Sequence, residues 1–230
     1  MERRGFIKFC AVSAAALGAP TVASDARAQT YGRARLVDEK GQPLRASAVP
    51  VNRNLIFHYP FEATPCFLLN LGKPVKPAQL KTVAGQPYEW KGGVGASRSV
   101  VAYSAICAHK LSYPTKDISF ISFRSEKSAR NRVANVIHCC SEHSQYDPAE
   151  GARVVAGPAP QPLAAILLEW DAARDEIYAV GTLGGEMFSE FFQKYAFKLQ
   201  VEHGGTERKA VAGSCVVQEL DNYCRQQVKC

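Results

Sequence analysis

The sequence predicts a mainly β protein, an antiparallel β-sandwich with long loops. Seventeen glycines and thirteen prolines punctuate 230 residues, and the apolar runs between them have the length of strands rather than helices. With 47% hydrophobic residues the chain can bury a full core. No segment approaches the ~18–20 apolar residues of a membrane span, and no repeat period stands out.

In chain order, residues 1–28 read as an export signal. "MERRGFIKFCAVSAAALGAPTVASDARA" has a basic start, a mildly apolar middle and a small-x-small site at Ala26-Arg27-Ala28. Arg3-Arg4 beside Phe6 and Lys8 resembles the twin-arginine signal, which implies export in a folded state to the periplasm. An uncleaved segment would anchor the protein to the inner membrane. Cleavage would remove four basic and two acidic side chains, taking the net charge from +7 to +5. The remaining charge is dispersed. The one basic run, "RSEKSARNR" at 124–132, lacks aromatic interleaving, and a nucleic-acid partner is not expected.

Residues 29–50 read as a polar linker or lead-in, 51–200 as the main domain and 201–230 as a cysteine-containing tail. "NLIFHYPF" and "CFLLNLG" are strands broken by Pro60 and Pro65. A strand over 99–106 delivers Cys107 and His109 at its end, and "DISFISF" alternates as a half-buried strand does. "RVANVIHCC" is a strand ending on Cys139 and Cys140. Two further strands flank the turn "DAARDE". "EMFSEFFQKYAFKLQVE" carries Met187, Phe188, Phe191, Phe192, Tyr195 and Leu199 at helical spacing, a short amphipathic helix toward the C-terminal side.

Of eight cysteines, Cys10 would leave with a cleaved signal, so seven remain. Cys66, Cys215, Cys224 and Cys230 are candidates for disulfides in an oxidising compartment, with the pairing open. An odd total means that some cysteines are free or coordinating. Cysteine and histidine lie close together twice, at Cys107-Ala108-His109 and at Cys139-Cys140-Ser141-Glu142-His143. Each pair follows a predicted strand, so strand geometry can fix both loops. Two thiolates and two imidazoles suit a tetrahedral zinc or an iron–sulfur centre with histidines on one iron. Mixed loops, one residue of each kind apiece, favour the second.

"CAH" at 107–109, "SQYD" at 144–147 and "GPAP" at 157–160 resemble, in order, the two ligand boxes and the covering proline loop of the Rieske iron–sulfur proteins. The resemblance spans roughly residues 85–182. It implies a Rieske-type fold with a cluster-binding subdomain and a 2Fe–2S cluster. It also implies metal ligands among Cys107, His109, Cys139, Cys140 and His143. Ser144 and Tyr146 would donate hydrogen bonds to cluster sulfurs. The implied activity is electron transfer to a redox partner, a cytochrome or the large subunit of a respiratory oxidoreductase.

The second box departs from the family pattern. Counting back from Ser144 places the cysteine at Cys139 and the histidine position at Glu142, with His143 one residue late. Counting from His143 selects Cys140 instead. The bridging cysteines of high-potential members correspond to Ser112 and, in the Cys139 register, Ser141; both halves are absent together, which favours Cys139. That absence implies a lower potential than in quinol-oxidising members. Cys140 with His143 stays open, as does a Glu142 carboxylate ligand. His138 reads as a residue of the strand face, and His58 and His203 have no assigned role. The competing function is a cluster-free structural or binding module held by disulfides.

Overall fold

The computed structural model describes residues 26–128 and 132–230. The Arg-Arg pair of the expected export signal lies outside the described residues. Among those described, no helix is long and apolar enough to cross a membrane.

The chain is mainly β, as its punctuation predicts. In order, the strands are β1 (Gln29–Val37), β2 (Leu55–His58), β3 (Pro65–Asn70), β4 (Ala78–Lys81), β5 (Pro87–Trp90) and β6 (Val100–Ser104). Then come β7 (Ile118–Ser119), β8 (Ile121–Arg124), β9 (Val136–Cys139), β10 (Ser144–Asp147), β11 (Arg153–Ala156), β12 (Ala165–Asp171) and β13 (Glu176–Leu183). Helices α1 (Phe188–Lys194) and α2 (Ala196–His203) follow, then β14 (Gly213–Val216), β15 (Gln218–Glu219), α3 (Leu220–Tyr223) and β16 (Gln226–Gln227).

An eight-stranded sheet runs β14-β1-β13-β12-β6-β3-β2-β15, and a four-stranded sheet runs β11-β10-β9-β8. The large sheet nearly closes on itself, because consecutive strands β14 and β15 pair with its opposite edges, β1 and β2. The central strands are buried on both faces, which is why "PCFLLN" and "VVAYS" read as continuous rather than alternating runs. Side chains still alternate. Cys66, Leu68, Val100 and Ala102 fill the core inside the curl. Phe67, Leu69, Val101 and Tyr103 point the other way and meet Ile121, Phe123, Ile137 and Tyr146 of the small sheet. Three bonds fasten this second interface: the Tyr103 hydroxyl donates to the Pro148 carbonyl at 2.7 Å. The Asn54 amide both donates to and accepts from the Phe123 backbone at 2.9 and 2.7 Å.

The structure differs from the sequence reading at both ends of the chain. Residues 29–37, expected as linker, form β1 inside the large sheet. Ala34 and Leu36 are fully buried there, while Arg33, just before them, lies on the Tyr178 ring, 3.4 Å from its centroid, and pairs with Glu169 at 3.0 Å. The Arg-Ala-Arg-Leu alternation was the signal for a strand. Residues 201–230, expected as a tail, are woven in. β14 and β15 close the large sheet, and β16 pairs in parallel with β7. Pieces of two to four residues are too short to show a period.

The expected helix is present as α1 and α2, with a break at Tyr195. Phe188, Phe191, Phe192 and Leu199 pack on Ile106, Leu111 and Tyr113, with Tyr113 edge-on to Phe191 at 4.9 Å. The aromatic stripe therefore supports the loop that follows Cys107.

Candidate metal centre

β6 runs into the first loop, which closes as a tight turn. The Leu111 N–H donates to the Cys107 carbonyl at 2.9 Å, and the Cys107 N–H donates to the Ser112 carbonyl at 2.9 Å. Leu111 takes a left-handed conformation, φ 60°. The second loop is the hairpin between β9 and β10. Cys139 pairs across the ladder with Ser144, leaving residues 140–143 to turn the chain, with His143 left-handed at φ 58°. Gly157, just after β11, backs this hairpin. A Cβ there would lie 2.5 Å from the His143 carbonyl oxygen and 2.6 Å from Ser144 Cα. Only glycine allows the proline loop to approach that closely, and its φ of 84° needs glycine as well.

The two loops bring Cys107 and Cys139 together. Both residues are completely buried, and their thiols share a hydrogen bond. The Cys107 thiol is pulled down from its usual value, first by the Cys139 S–H. The Tyr146 hydroxyl and the backbone N–H groups of His109 and Lys110 add to this, with burial opposing. Cys139 is pushed up by that shared proton and by burial, against the N–H groups of Ser141 and Glu142. Each sulfur thus sits over the N–H groups of the second and third residues after it, a concave anion-holding arrangement repeated in both loops.

Tyr146, on β10, is fully buried and points at the pair. Its oxygen accepts from the Ala108 N–H at 3.1 Å, so its own proton is free for the Cys107 sulfur, 3.2 Å away. Two polar atoms beside the thiols have no hydrogen-bond partner: His109 Nδ1 and Ser144 Oγ. Native proteins rarely leave such atoms unpaired. Two ionisable thiols side by side, with the unpaired His109 Nδ1 two residues along the first loop and the unpaired Ser144 Oγ across the ladder from Cys139, are a donor set suited to a thiolate-held metal group.

The remaining candidates are placed differently. Cys140 was a ligand candidate by one register, but its sulfur is bonded to Cys230. One residue along β9 reverses the side-chain direction, so Cys140 faces away from Cys107 and toward residues 228–230. Glu142 is exposed and contributes its backbone N–H to Cys139. The His143 side chain is also exposed, its ring 6.0 Å from that of His138.

The disulfide expectation is corrected as well. Cys230 pairs with Cys140, whereas Cys66, Cys215 and Cys224 are free and buried. Cys66 donates to the Tyr59 carbonyl at 3.0 Å and Cys224 to the Gln226 carbonyl at 3.0 Å. Sequence reasoning missed His138 as a neighbour of this disulfide; its place beside two cysteines was the available signal.

No family model matches the sequence. Among solved structures, the chain is similar to the soluble domain of the Rieske protein II (soxF) from Sulfolobus acidocaldarius. The identity is 27% over 66% of this chain and 78% of that one, with a TM-score of 0.48.

Proposed function

We propose that this protein is an exported Rieske-type 2Fe–2S electron-transfer protein that serves a periplasmic or membrane-bound oxidoreductase. The observation that carries this reading is the buried Cys107–Cys139 pair, cradled by matching N–H groups and approached by Tyr146. Cys107 and Cys139 would hold the buried iron. His109, with its unpaired Nδ1, would hold the outer one together with His143, whose exposed ring would have to turn inward from its place beside His138. Such a group supplies one-electron transfer at a potential between roughly −150 and +300 mV.

The chain's own residues do the rest. The four backbone N–H groups hold negative charge on the sulfurs. The Tyr146 hydroxyl withdraws charge from the Cys107 sulfur, and Ser144 Oγ has a proton to give at the same place; donors to sulfur raise the potential. Packing of Ile106, Leu111 and Tyr113 on α1 holds the first loop shut against water. The partly exposed His109 and the exposed His143 give a redox partner its approach, and that partner would be a cytochrome or the large subunit of an oxidoreductase.

The outward His143 ring favours a second reading, a Rieske-fold binding module without a cluster. Iron and acid-labile sulfide analysis of anaerobically purified protein, with electron paramagnetic resonance after reduction, separates the two. Stoichiometric iron and sulfide with the low average g of histidine-ligated clusters supports electron transfer. Absence of iron and sulfide after anaerobic reconstitution leaves the module.

A further inference from the structure

The opposite face of β9 carries a second group of metal donors. One ring nitrogen of His138, Cys140 Sγ and Cys230 Sγ all lie within 4.8 Å of one another. His138 is 1% exposed, yet the hydrogen-bond neighbour of its ring is a disulfide sulfur, Cys230 Sγ, at 3.7 Å from Nδ1 and 3.6 Å from Nε2. A disulfide sulfur is a poor partner for a buried imidazole. Across the ladder from His138 stands Ser122, whose buried Oγ has no partner, and on the same face of β8 the buried Arg124 Nε is also unpaired. Three polar side chains therefore line this face of β8 and β9, each with a polar atom short of a good partner, next to two sulfurs. Residues 228–230 cover it: the Val228 N–H donates to the Ser119 carbonyl at 2.8 Å, and Arg124 donates to the Val228 carbonyl at 2.6 Å.

We infer that His138, Cys140 and Cys230 form a reduction-gated site for a thiophilic divalent ion of the zinc class. Opening the site takes a dithiol as reductant. It gives two electrons and two protons to the Cys140–Cys230 bond, which breaks to two thiols while the dithiol closes to its own disulfide. Zinc then displaces both thiol protons and forms two Zn–S bonds and one Zn–N bond to His138. A tetrahedral zinc, with about 2.3 Å to sulfur and about 2.0 Å to nitrogen, sets neighbouring S and N donors about 3.5 Å apart. The His138–Cys230 pair already has that separation, and cleavage of the S–S bond lets Cys140 move to its own position. Water completes the tetrahedron as the fourth ligand. The same two sulfurs fasten residues 228–230 to the second loop in either state, through S–S when oxidised and through S–Zn–S when reduced. The inference is independent of the cluster.

The test is titration of the full chain with Co2+ as a spectroscopic substitute for zinc, before and after phosphine reduction and anaerobic removal of the reductant. Reduced protein is expected to bind one equivalent more than oxidised protein, with a thiolate-to-cobalt charge-transfer band. That equivalent is expected to be lost in Cys230→Ser and His138→Ala and kept in Cys107→Ser, which reports on the other site. Equal binding in both redox states, or an extra equivalent that survives Cys230→Ser, overturns the inference. Mass-spectrometric mapping of alkylation on the reduced wild type needs no variant to fold. Zinc is expected to protect Cys140 and Cys230, and their unchanged alkylation would equally overturn it.

Discussion

Cys139 and Cys140 are adjacent on one strand end, yet they belong to two different environments. Cys139 faces the core between the sheets, where the partner sulfur of Cys107 is held by hydrogen bonds and remains unbonded. Cys140 faces outward and is bonded to a sulfur ninety residues away in sequence. The difference follows from strand alternation together with what each loop supplies. Both Cys107 and Cys139 have paired N–H groups over their sulfurs, and with the Tyr146 hydroxyl and the Cys139 S–H these favour a thiolate at Cys107. Over Cys140, an incoming strand brings a second cysteine instead. One face is built to hold charged sulfur, and the other to fix chain position.

The largest stability effect is expected at the positional face. Cys230→Ser removes the covalent link between the second loop and residues 228–230. It should cost about 2–4 kcal/mol in denaturant unfolding while leaving iron content unchanged. If iron is lost with the disulfide, the two faces are not separate. Gly157→Ala tests what holds the hairpin common to both. The added Cβ meets the His143 carbonyl and the backbone is left-handed, so a loss of about 1–3 kcal/mol is expected. Iron retention should fall with it, because the hairpin is displaced. Unchanged stability and iron would show that the proline loop does not brace the site.

Much of this arrangement was legible in the sequence and some of it was not. The strand ending on Cys107, the hairpin from Cys139 to Tyr146 and the aromatic stripe at 188–199 could be read because each is local. Alternation, turn residues or helical spacing marks them within a dozen positions. The Cys140–Cys230 bond could not be read, since nothing local says which distant segment pairs with β7 and brings Cys230 near. Nor could the placement of the His143 ring beside His138, which depends on a left-handed turn within an irregular four-residue loop. β1 was missed for another reason: two arginines that pack on or near Tyr178 look, in sequence, like solvent-facing residues.

Two smaller effects sharpen the thiolate face. Tyr146→Phe leaves the buried Ala108 N–H without its acceptor and removes the hydroxyl donor from Cys107. A stability loss of about 1–2 kcal/mol is expected, with a lowered reduction potential in iron-loaded protein measured by film voltammetry. An unchanged potential would remove Tyr146 from the site. The last prediction concerns pH. In metal-free protein the fold favours ionised Cys107, so the folded state releases a proton at lower pH than the ordinary thiol value of 9.0. Stability from this group is fully present above pH 9.0 and is lost as pH falls through the lowered value. Cys139→Ala removes the first cause of that shift. Thiolate absorbance of metal-free protein should therefore rise at higher pH in the variant than in wild type. Coincident titrations would show that the two thiols do not interact.

The most direct test of the account is the iron content of two neighbouring variants, Cys139→Ser and Cys140→Ser, purified anaerobically in parallel with wild type and checked for folding by circular dichroism. Stoichiometric iron and sulfide are expected in wild type and Cys140→Ser, and none in Cys139→Ser. Iron lost from Cys140→Ser but kept in Cys139→Ser, or absent from all three after reconstitution, would contradict it.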